Sequence, residues 1–165
     1  MADLIQVGDF VGMYELAQNG LNSVKLAYYI TDKQSEYLRK TLGVDLYDLF
    51  IQGVEDEDPI YEILFEPFAY QQDGCIIESK GIKNALLGIV YFYYQRDKQV
   101  QQTVNSAVKM RGQNSERAEI MSQRLFGRYN DSIRTLKAVQ QYCMDNSDVY
   151  PTFQGVQLDY SYQLY

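Results

Sequence analysis

Between Ile82 and Asp97, in the stretch IKNALLGIVYFYYQRD, apolar side chains run almost all the way round a helix. At about 100° per residue, Ile82, Ala85, Leu86, Ile89, Val90 and Tyr93 share one face. Leu87, Tyr91 and Tyr94 carry the apolar surface to the far side, and Phe92 extends it the other way. Only Lys83, Asn84 and Gly88 interrupt the ring. The pattern predicts a helix from near Ser79–Ile82 to about Gln99, covered on most of its circumference.

A second long helix is predicted further on. Ala118, Met121, Leu125, Tyr129, Ile133, Leu136, Val139 and Cys143 recur every three or four residues, giving one apolar stripe over about eight turns. Ser115 is placed to cap its start, with Glu116 and Glu119 in the first turn, where acidic side chains suit the helix dipole. Gly127 marks a bend or a close approach, and the helix is expected to stop near Asn146, before Pro151.

Shorter elements precede these two. A short helix is expected around 10–18, and VKLAYYI (24–30) reads as a short strand or an extended lead-in. Thr31 and Gln34 have capping-box spacing for a helix that ends at Gly43. VDLYDLFIQ forms a second helix up to Gly53, and Tyr37, Leu38, Leu42, Leu46, Tyr47, Leu49 and Phe50 are expected to pack together. Asp58 can cap a third, with Pro59 in its first turn and Pro67 ending it. Residues 71–81 read as a turn with a short extended piece.

Two stretches alternate. Val100, Val104, Val108 and Met110 sit at even-numbered intervals with mostly polar residues between, and Gly112 and Asn114 read as a turn. We expect an extended arm or β-hairpin at about 100–114, between the two long helices. At the end of the chain, in GVQLDYSYQLY, Val156, Leu158, Tyr160, Tyr162 and Leu164 alternate with polar residues, the pattern of a strand with one apolar face. An isolated strand leaves its backbone unpaired, so it joins a sheet of its own chain or of a neighbour. The fold class expected is mainly α: a helical bundle with an arm or hairpin between two long helices and a C-terminal β-strand arm. Residues 1–146 would form the helical domain and 147–165 the terminal arm.

Composition narrows the function. The 165 residues suit one domain, and 46% hydrophobic with 22% charged residues is ordinary for a globular chain. A net charge of −7 argues against a general nucleic-acid binder, which needs a surplus of Lys and Arg. No apolar run is long enough to span a membrane, and MADLIQVGDF does not have the form of a signal peptide. Cys75 and Cys143 form no paired motif, consistent with synthesis in a reducing cytosol.

Candidate chemistry is sparse. The chain has no His, so nucleophile–His pairs are excluded. Neither a GxxxxGK[ST] phosphate loop nor a GxGxxG motif occurs. Glu55 and Asp58 fall in an exposed acidic turn. EDEDP lacks the ligand spacing and turn glycine of a calcium loop, and reads as a solvated cap. No catalytic residue, metal site or cofactor is expected, and the reading is not an enzyme. Lys109, Arg111, Arg117, Arg124 and Arg128 form the one basic concentration, either a solvated face or a contact for an acidic partner or a passing DNA backbone. Sixteen Tyr and no Trp favour surfaces that meet other proteins, or Tyr simply takes the place of Phe and Trp in the core.

The order FVGMYELAQN, YITDKQSEYLRKTLGVDLYDLF, GIKNALLGIVYFYYQRD, TVNSAVKMRGQNSERA and YCMDNSDVYPTFQG resembles the head–tail connector (adaptor or ring) proteins of tailed bacteriophages, closest to those of crAss-like and other Bacteroidetes phages. The resemblance spans nearly the whole chain. It is strongest in YLRKTLGVDLYDLF and from Gly81 to Ala118, and it departs in the Tyr-rich end. It implies a small, mostly helical virion subunit, about twelve copies of which form a ring below the portal protein. Such a ring extends the channel for double-stranded DNA, which passes without specific binding, and docks other connector or tail proteins; no membrane is involved. The alternative is a soluble helical protein-binding module unrelated to the virion.

On the connector reading, the apolar helix is covered partly by the adjacent subunit, with Tyr91 and Tyr94 at the contact. The competing answer buries it within its own subunit. Val104, Val108, Lys109, Met110 and Arg111 of the arm are further interface candidates. Tyr150, Phe153, Val156, Leu158, Tyr160, Tyr162 and Leu164 of the tail complete the set.

Overall fold

A computed structural model describes residues 3–17, 21–105 and 113–161, with 99–105 and 113–122 described as backbone only. Five helices and one hairpin follow in order: α1 (Ser23–Leu42), α2 (Val44–Glu55), α3 (Pro59–Phe65), β1 (Phe68–Gln72), β2 (Cys75–Ser79), α4 (Gly81–Asn105) and α5 (Gln113–Asp145). The fold is mainly α, as expected.

The apolar ring of α4 is covered by its own chain. Ile82, Ala85, Leu86, Ile89 and Val90 are fully buried, and Leu87, Phe92 and Tyr94 nearly so. Helix α5 runs antiparallel along one side: Phe92 meets Phe126 and Tyr129 at ring-centroid distances of 5.4 and 4.7 Å. Helix α1 covers a second side and α3 the N-terminal end. The N-terminal segment, through 3-10 turns at Val7–Asp9 and Gly12–Tyr14, closes the remainder, with Tyr14 donating to Asn84 at 3.2 Å. These turns stand where a short helix at 10–18 was expected, since Gly8 and Gly12 break the run.

Helix α1 begins earlier than its Thr31 signal suggested. Asn22 is the cap, accepting from the Lys25 N–H at 2.9 Å, and 24–30 is helical rather than extended. Leu26, Tyr29, Ile30, Tyr37 and Leu38 have helical spacing and are all buried, so packing overrides the local strand preference of VKLAYYI. Thr31 lies mid-helix and donates to Asp3. Gly43, at φ +87°, ends α1 where the sequence placed the stop and opens α2 at once. Asp58 accepts from Ile60 N–H at 3.0 Å with Pro59 in the first turn of α3, as read from the sequence.

The hairpin lies before α4. Phe68 pairs with Ser79, Tyr70 with Ile77 and Gln72 with Cys75, around a turn at Asp73 and Gly74, both at positive φ. Asp-Gly favours that geometry, and it was the available signal for β1, which the sequence reading missed. The expected arm at 100–114 is corrected in part: residues 100–105 continue α4, 113 and 114 begin α5, and 106–112 lie outside the described residues. A spacing of four satisfies both strand alternation and a helical stripe. The strand reading also put polar Gln102 on the valine face, which a helix does not. Ser115 is inside α5 rather than at its cap, and Gly127 is exposed with nothing close to it.

The C-terminal segment folds back on the bundle. It forms no sheet among the described residues, which corrects the expected strand. Its alternation has another partner: Gln154 N–H donates to Leu42 C=O at 3.0 Å and Val156 N–H to Lys40 C=O at 2.8 Å. An extended strip thus satisfies carbonyls that the end of α1 leaves without helical partners. Gln140 of α5 bridges both sides, donating to Thr41 C=O at 3.1 Å and Val156 C=O at 2.8 Å. Further along, Asn130 and Ser161 exchange two hydrogen bonds of 3.0 and 2.9 Å.

Candidate partner-binding surface

The sequence-derived interface residues divide into three groups. Tyr94, Tyr150 and Leu158 are buried within the chain. The Tyr94 hydroxyl accepts from Asn22 N–H at 3.0 Å, and Tyr150 donates to Ile60 C=O at 2.6 Å. These three side chains serve the fold and present nothing to a partner. Tyr91, Phe153 and Tyr160 are half-buried and Val156 is exposed. Arg128 lies over the Tyr91 ring at 4.9 Å and Lys137 over the Tyr160 ring at 4.1 Å, so the two half-buried tyrosine rings each carry a cation. Val104 belongs to the backbone-only part of α4. Val108, Lys109, Met110, Arg111, Tyr162 and Leu164 lie outside the described residues.

Many tyrosines build the interior. Tyr37 of α1 places its hydroxyl 2.8 Å from those of Tyr93 on α4 and Tyr129 on α5, joining three helices at one point. Burial first, then these phenol partners, push the Tyr37 hydroxyl far above its ordinary pKa. Lys33 sits 4.4 Å over the Tyr93 ring and Arg96 4.8 Å from it. At the other end, Tyr70 and Gln72 of the hairpin both donate to Asp145 at 2.7 Å, tying the hairpin to the end of α5.

The sequence reading passed over an acidic end. From Thr41 to Ser79 the chain holds ten carboxylates and no Lys or Arg. Nine are exposed, and the tenth, Asp58, is half-buried. Among the described residues none of the ten is in an ion pair with a Lys or Arg. Ile60 and Ile63 stand exposed on one side of α3 among them, and Ile76 on the outward face of β2. The signal was in the composition of that segment, hidden by averaging charge over the whole chain. A separate cleft of about 520 Å³ lies between the hairpin and α5, lined by Phe68, Glu78, Lys80, Asp131 and Arg134. Its Arg134 and Asp131 are paired at 2.7 Å. Among the described residues there is no group of three or more Cys, Asp or Glu side chains placed to hold a metal, and no helix long and apolar enough to cross a membrane.

No protein-family model matches the sequence, and neither a curated protein nor a solved structure matches it.

Proposed function

We propose that this chain is a structural subunit of a bacteriophage head–tail connector, one copy of a ring that sits below the portal, continues the DNA channel and docks the tail. The reading starts from the sequence resemblance. The observation that carries it is the long antiparallel pair α4 and α5, of 25 and 33 residues, joined through 106–112. The passage from Gly81 to Ala118, where the resemblance is strongest, covers α4 and the first six residues of α5. A subunit of this kind acts through shape and contact rather than through catalysis, and its acidic balance lets DNA slide past without being held.

A second reading is favoured by a specific observation. The tail lies on its own bundle and α4 is covered by its own chain, as in a self-sufficient helical module that binds one partner protein. Mixing the purified chain with portal assemblies separates the two. The connector reading expects a ring that sediments with the portal and appears under it by electron microscopy. A single small species that ignores the portal overturns it and leaves the module.

A further inference from the structure

Charge is sorted along α4. Its N-terminal end carries α2, α3 and the hairpin: a Cβ on Gly81 would lie 2.4 Å from Phe65 C=O, and Lys83 stands over the Phe65 ring at 5.9 Å. That end is rich in acid, with ten carboxylates between Thr41 and Ser79, although Lys83 over Phe65 and Arg39 over Tyr47 stand beside them. Basic residues follow further along the sequence. Between Lys98 and Arg128 the sequence has six Lys or Arg against two Glu. Lys98 is about 25 Å along the helix from Gly81. That is about three Debye lengths at physiological salt, while Arg128, over Tyr91, stands about 15 Å along and within two.

Positions 117, 124 and 128 fall within about 40° of one another around α5. Arg124 is exposed, and Arg128 is held on the Tyr91 ring. At the acidic end, Ile60 and Ile63 are exposed beside Glu62 and the Glu55–Asp58 turn. An apolar centre with a charged rim is the usual make-up of a protein contact. Phosphate is repelled from such a rim, whereas a row of Arg side chains complements it.

We propose that the acidic end of one copy, built by α3 and the Glu55–Asp58 turn, receives the basic face of α5 from a second copy. The contact joins two different surfaces, so it repeats head to tail and closes into a ring when the rotation allows. This names the surfaces that meet in the ring proposed above and rests on that reading.

The test uses the full chain and sedimentation velocity. The unmodified protein should form species larger than a monomer at low salt and dissociate toward monomer near about 1 M salt, where the Debye length is about 3 Å. Reversal of the acidic end (Glu55→Lys, Asp56→Lys, Glu62→Lys) and of the basic face (Arg117→Glu, Arg124→Glu) should each give a monomer at low salt with an unchanged circular dichroism spectrum. Mixed one to one, the two variants regain charge complementarity at both contacts, one native and one with its signs exchanged, and should assemble again into species larger than a monomer. A protein monomeric at every salt, or assembly indifferent to both reversals, overturns the proposal. So does a basic face that binds duplex DNA while the protein stays monomeric. A ring on the portal that survives both reversals sinks this contact and leaves the connector reading. Reassembly of the mixed variants, with no ring on any portal, does the opposite.

Discussion

The hydroxyl of Tyr37 lies 2.8 Å from that of Tyr129 and the same distance from that of Tyr93, so one buried oxygen ties α1 to both long helices. A phenol has one proton to donate, and Tyr37 therefore donates to one neighbour and accepts from the other. Tyr37→Phe removes both bonds and leaves two inward hydroxyls short of a partner. It should cost about 1–3 kcal/mol. Urea denaturation reads this as a lower midpoint with an unchanged slope. A midpoint equal to that of the unmodified protein would mean the three hydroxyls contribute nothing net.

Gly88 sets how closely α4 approaches α5. A Cβ there would lie 2.0 Å from Ser132 Oγ but 3.4 Å from Ser132 Cβ. Gly88→Ala should therefore destabilise by about 1–3 kcal/mol through overpacking, despite the better helix propensity of Ala. Ser132→Ala removes the clashing oxygen, so the double variant should recover most of the loss. Ser132 otherwise donates to Arg128 C=O within its own helix and hydrogen-bonds the Tyr14 hydroxyl, so its removal alone should cost about 0.5–1.5 kcal/mol. A double variant as unstable as Gly88→Ala would place the clash elsewhere.

The elements with the strongest periodicity were legible in the sequence: α4, α5, the stop at Gly43 and the Asp58–Pro59 start. What covers α4 was not. Helical spacing shows how much of Ile82–Tyr94 must be buried, but it does not distinguish α1 and α5 of the same chain from a neighbouring subunit. Val100 and Val104 misled because their spacing fits a helix and a strand alike. The alternation holds at Leu158, which is buried, but Val156 is exposed, and the partner of this extended strip is not the sheet expected. Its amides instead meet the carbonyls at the end of α1, a pairing that no local pattern encodes. Of the surface candidates, Tyr94, Tyr150 and Leu158 are apolar enough for an interface and for a core, and the fold claims them for the core.

The tail should behave as part of the bundle. Leu158 is 3% exposed, and Leu158→Ala should cost about 2–4 kcal/mol. Truncation after Ser147 removes Tyr150, Leu158 and the bonds to Lys40 and Leu42 together, and should lower the melting temperature more than that single change does. Hydrogen exchange gives the sharper reading. The amides of Gln154 and Val156 should exchange slowly, at rates that do not depend on protein concentration. Protection that disappears on dilution would show that the strip lies on a neighbouring copy instead.

Stability should fall on the alkaline side in a tyrosine-specific way. Burial first, then the bond to Asp97, pushes the Tyr29 phenol up to about 12, and burial raises the Cys143 thiol to about 12. Tyr37, Tyr129 and Tyr150 are raised by burial as well. An unfolded phenol ionises near about pH 10, so above that the unfolded chain binds fewer protons than the folded one. The contribution of Tyr29 is thus complete below about pH 10 and lost as pH rises through about 12. On the acid side, desolvation raises Asp97, but the bonds from Tyr29 and Arg96 outweigh it and hold the carboxyl below its usual value. That contribution is present above the ordinary Asp range and lost as pH falls through the depressed value. With no His, the chain lacks the side chain that ordinarily titrates between about pH 5 and 8. The melting temperature should accordingly be flat through neutrality and drop above about pH 10, with tyrosinate absorbance appearing in step with unfolding. Tyr29→Phe should make the alkaline drop shallower. Tyrosinate formed at its ordinary pH in a protein that stays folded would contradict the buried placement of these phenols.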